Sequence, residues 1–186
     1  MALHSENSGS DNLRWYALYV RQRYEKIVAS GLASRGYEVF LPTYQSRRRW
    51  SDRTKVLELP LFSGYAFCRF DFQERLPILT VPGVNFIVGF GKTPTPVDPN
   101  ELDAVRLVTD SGLPCEPWPF LKVGHTVRVE YGSLAGLEGF VLNVRNSYRL
   151  IISVNLLGRS VAVELDRDSV KPIPAPKAVQ HSIALL

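Results

Sequence analysis

The residues of this chain that could do bond-making chemistry are few and far apart. Phe90-Gly91-Lys92-Thr93 ends the way a phosphate-binding loop ends. That loop needs a glycine five positions before its last one, where this chain has Phe86, and Pro94 and Pro96 oppose the helix that must follow. His4, His125 and His181 stand isolated, so neither a catalytic triad nor a metal cluster is suggested. Asp98 and Glu101 have the spacing of a helix cap, the usual structural use of such a pair. Cys68 and Cys115 lack paired spacing, and Cys68 lies in an apolar run, so both read as reduced thiols of a cytoplasmic protein. The expectation is a protein that is not an enzyme and takes no cofactor or metal.

What remains is binding chemistry. Gln45 to Lys55 holds five basic residues, Arg47, Arg48, Arg49, Arg53 and Lys55, against one acid, with Trp50 among them. Arginine pairs with phosphate in two-pronged fashion and a tryptophan can stack on a base, so the stretch suits a nucleic acid. A solvated hairpin tip fits the same residues equally well. The second binding stretch is Pro60-Leu61-Phe62-Ser63-Gly64-Tyr65-Ala66-Phe67, continuing through Cys68-Arg69-Phe70. Its aromatic and small residues predict a strand. Alternation puts Tyr65, Phe67 and Arg69 on one face and Gly64, Ala66, Cys68 and Phe70 on the other. If nothing covers Tyr65 and Phe67 they form a partner patch, and otherwise both faces are core.

The elements that must position these residues follow from pattern. Residues 1–13 read as a disordered tail. Arg14 to Val20 is strand-like, and a helix follows with Tyr24, Ile27, Val28, Gly31 and Leu32 as its apolar face and Gly36 at its end. Tyr37 to Leu41 is a second strand, and Val84 to Phe90 another. Asp71 and Glu74 cap a short helix that Pro77 truncates. Asp98-Pro99-Asn100-Glu101 starts a helix whose core face is Leu102, Val105 and Val108, ending at Gly112. Three prolines in Leu113 to Pro119 predict a linker over 113–121. From 122 to 173 short strands alternate with glycine turns, as in a small β-barrel, and 174–186 is a second tail. The fold class is α+β: an antiparallel sheet flanked by helices over 14–112, then the barrel.

The 186 residues are 45% hydrophobic and 22% charged, ordinary for a globular chain, with a net charge of +4 that suits work beside nucleic acid. No apolar run approaches the roughly 18 residues of a membrane span, and Met1 to Asn12, polar and acidic, has neither the basic start nor the apolar core expected of a signal peptide.

Taken together, Trp15-Tyr16, Leu41-Pro42, the Pro60–Phe67 stretch with Pro82-Gly83-Val84, then Gly132-Ser133-Leu134-Ala135-Gly136-Leu137-Glu138-Gly139 and Leu157-Gly158-Arg159 before Val163-Glu164-Leu165, resemble the NusG family of transcription elongation factors over about residues 14–173. The resemblance implies a NusG N-terminal domain and a KOW barrel. It implies an aromatic pocket, here Tyr19, Phe62, Tyr65 and Phe67 with Phe86 and Ile87 as its floor, that grips the clamp helices of the RNA polymerase β′ subunit while the domain bridges to the β subunit. Arg21 and Arg23 would face non-template DNA or nascent RNA, and Leu157 and Arg159 would meet a small-subunit ribosomal protein or Rho. A turn with a core leucine fits Leu156 and Leu157 as well. Many relatives carry proline where this chain has Ser63, which leaves that loop less rigid. A monomer is expected. Three roles follow: a specialised antiterminator of particular operons, favoured by the arginine run and Pro60-Leu61-Phe62; a housekeeping factor coupling polymerase to Rho or the ribosome; or an RNA-binding KOW protein without polymerase contact.

Overall fold

Two faces of one sheet organise the N-terminal half of the computed structural model, which describes residues 12–49, 54–91, 93–119, 125–144, 147–165 and 169–173. The sheet is built from β1 (Leu13–Val20), β2 (Glu38–Phe40), β5 (Tyr65–Asp71) and β6 (Val84–Ile87), in the order β2-β5-β1-β6, with every pairing antiparallel. Its first face carries Tyr16, Leu18, Cys68 and Phe70 against Val28 and Leu32 of α1 (Glu25–Ala33) and Ile78 of α2 (Leu76–Leu79). The second carries Ala17 and Phe67, which cluster with Leu102, Val105 and Val108 of α3 (Pro99–Asp110). Helices on both sides give the sheet two buried faces, so Phe67 is core.

The helix starts follow their local chemistry. Asp98 accepts from the Asn100 amide at 2.9 Å and caps α3, and Asp71 accepts from the Gln73 amide at 2.8 Å ahead of α2. Gly36, at φ 86°, closes the turn after α1. Helix α1 is rotated from expectation: Glu25, Val28 and Leu32 face inward, while Ile27 is 58% exposed. Glu101 does not reach back to its own cap; its carboxylate accepts from the backbone and side-chain amides of Asn155 instead.

The basic stretch belongs to a hairpin of β3 (Thr43–Arg49) and β4 (Thr54–Pro60), with Arg47 opposite Val56 and Arg48 opposite Lys55. The expected strand over Val84–Phe90 divides into β6 and β7 (Gly89–Phe90). Thr93 and Pro94 pair back as β8, where a phosphate-binding loop would place a helix.

The C-terminal half forms a six-stranded antiparallel sheet of β9 (Cys115–Pro119), β10 (His125–Val129), β11 (Glu138–Val144), β12 (Ser147–Val154), β13 (Arg159–Leu165) and β14 (Val170–Pro172). Its order is β14-β10-β11-β12-β13-β9. The proline-rich stretch expected to be a linker is therefore strand for most of its length. It is tolerated because β9 is an edge. Pro114 O accepts from the Glu164 amide at 3.2 Å, so ladder alternation turns the amides of Glu116 and Trp118 toward β13. Pro117 and Pro119 fall where an N–H would point away from the sheet. Residues 120 and 121 of the expected linker, and both expected tails apart from Asn12 and Leu13, lie outside the described residues. Among the described residues no helix is long and apolar enough to cross a membrane.

Candidate functional site

Of the six aromatic and aliphatic residues expected to form a partner pocket, the structure gathers three on the surface. Tyr19 pairs with Tyr65 across β1 and β5 and with Phe86 across β1 and β6, so register alone sets Tyr65, Tyr19 and Phe86 in one row on one face. The Tyr19 ring lies 4.9 Å from Phe86, stacked, and 5.4 Å from Tyr65, edge-on. Phe86 is 52% exposed, while Tyr19 and Tyr65 are half-buried. The register between β1 and β6 shifts between Tyr19 and Val20, a bulge that increases local twist where the row ends the sheet.

The other three are placed differently. Phe67 is fully buried, with Phe40 at 6.0 Å and Phe62 at 5.8 Å, and Phe62 is itself buried. The expectation that Tyr65 and Phe67 stand exposed together is thus corrected: Phe40 and Phe62 enclose Phe67, while Tyr65 on the same face stays half-buried. Arg106 of α3 lies over the Trp15 and Phe40 rings, at 5.6 and 5.0 Å to their centroids. Ile87 cannot share a floor with Phe86, because neighbouring strand residues point to opposite faces. It is buried in the core beneath α1 and α2.

The row is held from behind by the entry to α1. Val20 N–H donates to Gly64 O at 2.8 Å, and Gly64 N–H donates to the Glu25 carboxylate at 2.8 Å. Gly64 has φ 82°, a conformation other residues adopt only at a cost of about 1–2 kcal/mol. Arg23, at φ 68°, is the one non-glycine residue with positive φ among the described residues. Glu25 received no role from sequence; its one legible signal was spacing, since 25, 28 and 32 lie on one helical face.

The expected nucleic-acid contacts are split. Arg21 is exposed, with its guanidinium 4.7 Å from the Tyr24 ring centroid, and Arg23 is exposed beside it. Arg47 and Lys55 are exposed on the hairpin. Lys26 of α1 pairs with Glu58 of β4, which also accepts from Thr43 at 2.8 Å, and so ties the hairpin to the helix start. Lys26 first, then Thr43, hold the Glu58 carboxyl below its ordinary range. Trp50, Arg53 and the side chains of Arg48 and Arg49 lie outside the described residues.

The two halves meet around a cleft. Arg23, Lys26, Leu57 and Phe62 line it from one half and Trp118 and Arg159 from the other. Arg159 is exposed, and Leu157 is half-buried against the large apolar cluster that spans both halves. Beside Leu157, Asn155 makes its bonds to Glu101 of α3. The arrangement offers an aromatic ledge, separate guanidinium groups and a two-part cleft, which is equipment for binding.

Three comparisons bear on this arrangement. The family model described as "Transcription termination factor nusG" matches residues 13–106. The chain is 30% identical over 174 residues to the transcription termination/antitermination protein NusG of Pseudomonas aeruginosa, covering 86% of this chain and 98% of that one. It is 28% identical to NusG of Thermus thermophilus, covering 83% of this chain and 96% of that one. A solved structure described as "Domain interaction in Thermotoga maritima NusG" superposes with a TM-score of 0.55 at 21% identity, over 87% of this chain and 98% of that one, a likeness of fold.

Proposed function

The chain belongs to the NusG family, and on that premise we propose that it is a cytoplasmic, monomeric transcription elongation factor that binds the RNA polymerase clamp and suppresses pausing and termination. The observation that carries this reading is the Tyr65–Tyr19–Phe86 row, an aromatic ledge ending in a half-exposed phenylalanine. Burying one such aromatic on a partner contributes about 1.5–3 kcal/mol, and a few suffice as anchors. In this reading the row contacts the β′ clamp helices, Phe62 and Phe67 support it from within, and the domain reaches toward the β subunit. Arg21, Arg23, Arg47 and Lys55 face non-template DNA or nascent RNA, a contact that weakens steeply with salt. The C-terminal sheet is read as a KOW barrel whose Leu157 and Arg159 meet a small-subunit ribosomal protein or Rho. The factor makes and breaks no bond.

The arginine-bearing hairpin favours a specialised, operon-specific antiterminator over the housekeeping role. Binding of full-length Phe86→Ala and Tyr65→Ser to core polymerase tests the ledge, and each is expected to weaken it by about tenfold or more. Retained affinity in both would overturn the aromatic ledge as the clamp contact, and a parent chain that does not bind polymerase at all would leave a nucleic-acid-binding protein without polymerase contact. Nascent-transcript mapping after deletion tests the specialist role. Changes confined to a few operons are expected, and changes across most genes would assign the housekeeping role.

A further inference from the structure

Resting on the clamp reading, we propose that Glu25 is the positioning residue of the aromatic row, joining the arginine-bearing entry of α1 and the polymerase-facing ledge into one unit. Glu25 is the only charged side chain buried among the described residues, at 4% exposure. A buried carboxylate is costly unless its bonds are made, and an apolar residue would fill the same site more cheaply. Glu25 accepts from the backbone of Gly64, the residue immediately before Tyr65. The opposite side of the same glycine is held by Val20, the residue immediately after Tyr19. A side chain at Gly64 would lie 3.5 Å from the Tyr19 ring, so this turn packs directly beside the row.

The same short segment also holds the far end of the row. Arg21 N–H donates to Gly83 O at 2.8 Å, and Gly83, at φ 98°, packs so closely on Tyr24 that an added Cβ would come within 3.0 Å of its ring. Gly83 is the last residue of the turn before β6, the strand that carries Phe86. Residues 20–25 therefore clasp both glycine turns that deliver the outer members of the row. The left-handed Arg23 is the bend that returns the chain so that Glu25 enters the core. Arg21 and Arg23 lie on this clasp, so the arginine-bearing entry of α1 and the ledge share one backbone segment.

Core-polymerase affinity and thermal unfolding of the full-length chain test this, with Glu25→Ala, Glu25→Gln and Leu32→Ala. Leu32 is fully buried on the same helix face as Glu25, about two turns further on, and is not among the nearest neighbours of Gly64 or Gly83, so its variant reports plain destabilisation. Glu25→Ala is expected to weaken polymerase binding about tenfold at temperatures where it is fully folded. Glu25→Gln keeps an acceptor for Gly64 and is expected to bind within about threefold of the parent. Leu32→Ala is expected to lower the melting temperature with its affinity kept. The Tyr19 and Tyr65 ring resonances should shift in Glu25→Ala and stay in place in Leu32→Ala. Parent affinity in Glu25→Ala, or an equal loss in Leu32→Ala, would overturn the positioning role. If Phe86→Ala and Tyr19→Ala also leave affinity unchanged, the clamp reading is what fails. The ring resonances then decide the positioning role by themselves, unmoved signals in Glu25→Ala overturning it.

Discussion

Phe67 and Phe86 have the same chemistry and opposite fates. Phe67 sits between Phe40 and Phe62 with no exposed surface, so Phe67→Ala leaves a cavity and is expected to cost about 3–5 kcal/mol of folding stability. Phe86→Ala removes a half-exposed ring and is expected to cost under about 1 kcal/mol. Denaturant unfolding of the two variants side by side checks this, and it makes Phe86 the cleaner probe of a partner contact. Cys68 belongs to the same scale. Burial pushes its thiol up to about 12, so the reactive thiolate is scarce at neutral pH. Native protein treated with iodoacetamide near neutral pH is expected to leave Cys68 unmodified, with labelling appearing only on unfolding.

At the scale of the element, the edge strand Cys115–Pro119 shows how proline can enter a sheet without breaking it. Its prolines occupy alternate positions, and the amides that face β13 belong to Glu116 and Trp118. Pro117→Ala is therefore expected to change stability by no more than about 0.5 kcal/mol. Trp118→Pro removes a ladder donor and is expected to cost several times as much, with thermal melts of the two variants deciding. The helices were more legible than this strand. Asp98-Pro99 with Leu102, Val105 and Val108 announced α3 and its buried face correctly. The α1 periodicity admitted two rotations. The apolar count favoured Ile27, whereas Glu25 faces inward because a backbone donor waits there.

At the scale of the whole molecule, Glu101 of α3 and Asn155, in the short turn between β12 and β13, tie the halves together. The Glu101 carboxyl is raised above its ordinary value, mainly by burial, with the Asn155 hydrogen bonds pulling the other way. A raised folded value means that the folded state holds the proton more tightly than the unfolded chain. The stability this contributes is full below the unfolded value and is lost as pH rises through the folded one. Unfolding free energy followed from about pH 4 to 7 is expected to show this loss in the parent and a flatter profile in Glu101→Gln. Asn155→Ala is expected to speed amide exchange over 155–160, the turn that carries Leu157 and Arg159. Unchanged exchange there would mean that the contact does not restrain the turn.

The sequence by itself determined the α+β class, the family likeness, the start and core face of α3, and the strand that carries Tyr65 and Phe67. Each is a local matter of cap chemistry, periodicity or alternation, which neighbouring residues specify. Only the tertiary structure decided which part of the aromatic face stays open. Alternation says that Tyr65 and Phe67 share a face, but Phe40 and Phe62, from other segments, enclose one and leave the other half-buried. Register across three strands then replaced the expected pocket with the row Tyr65–Tyr19–Phe86 and sent Ile87 to the opposite core. The inward turn of Glu25 was likewise out of reach of local pattern, because its hydrogen-bonding partner, Gly64, lies in another element and meets it only once the sheet has formed.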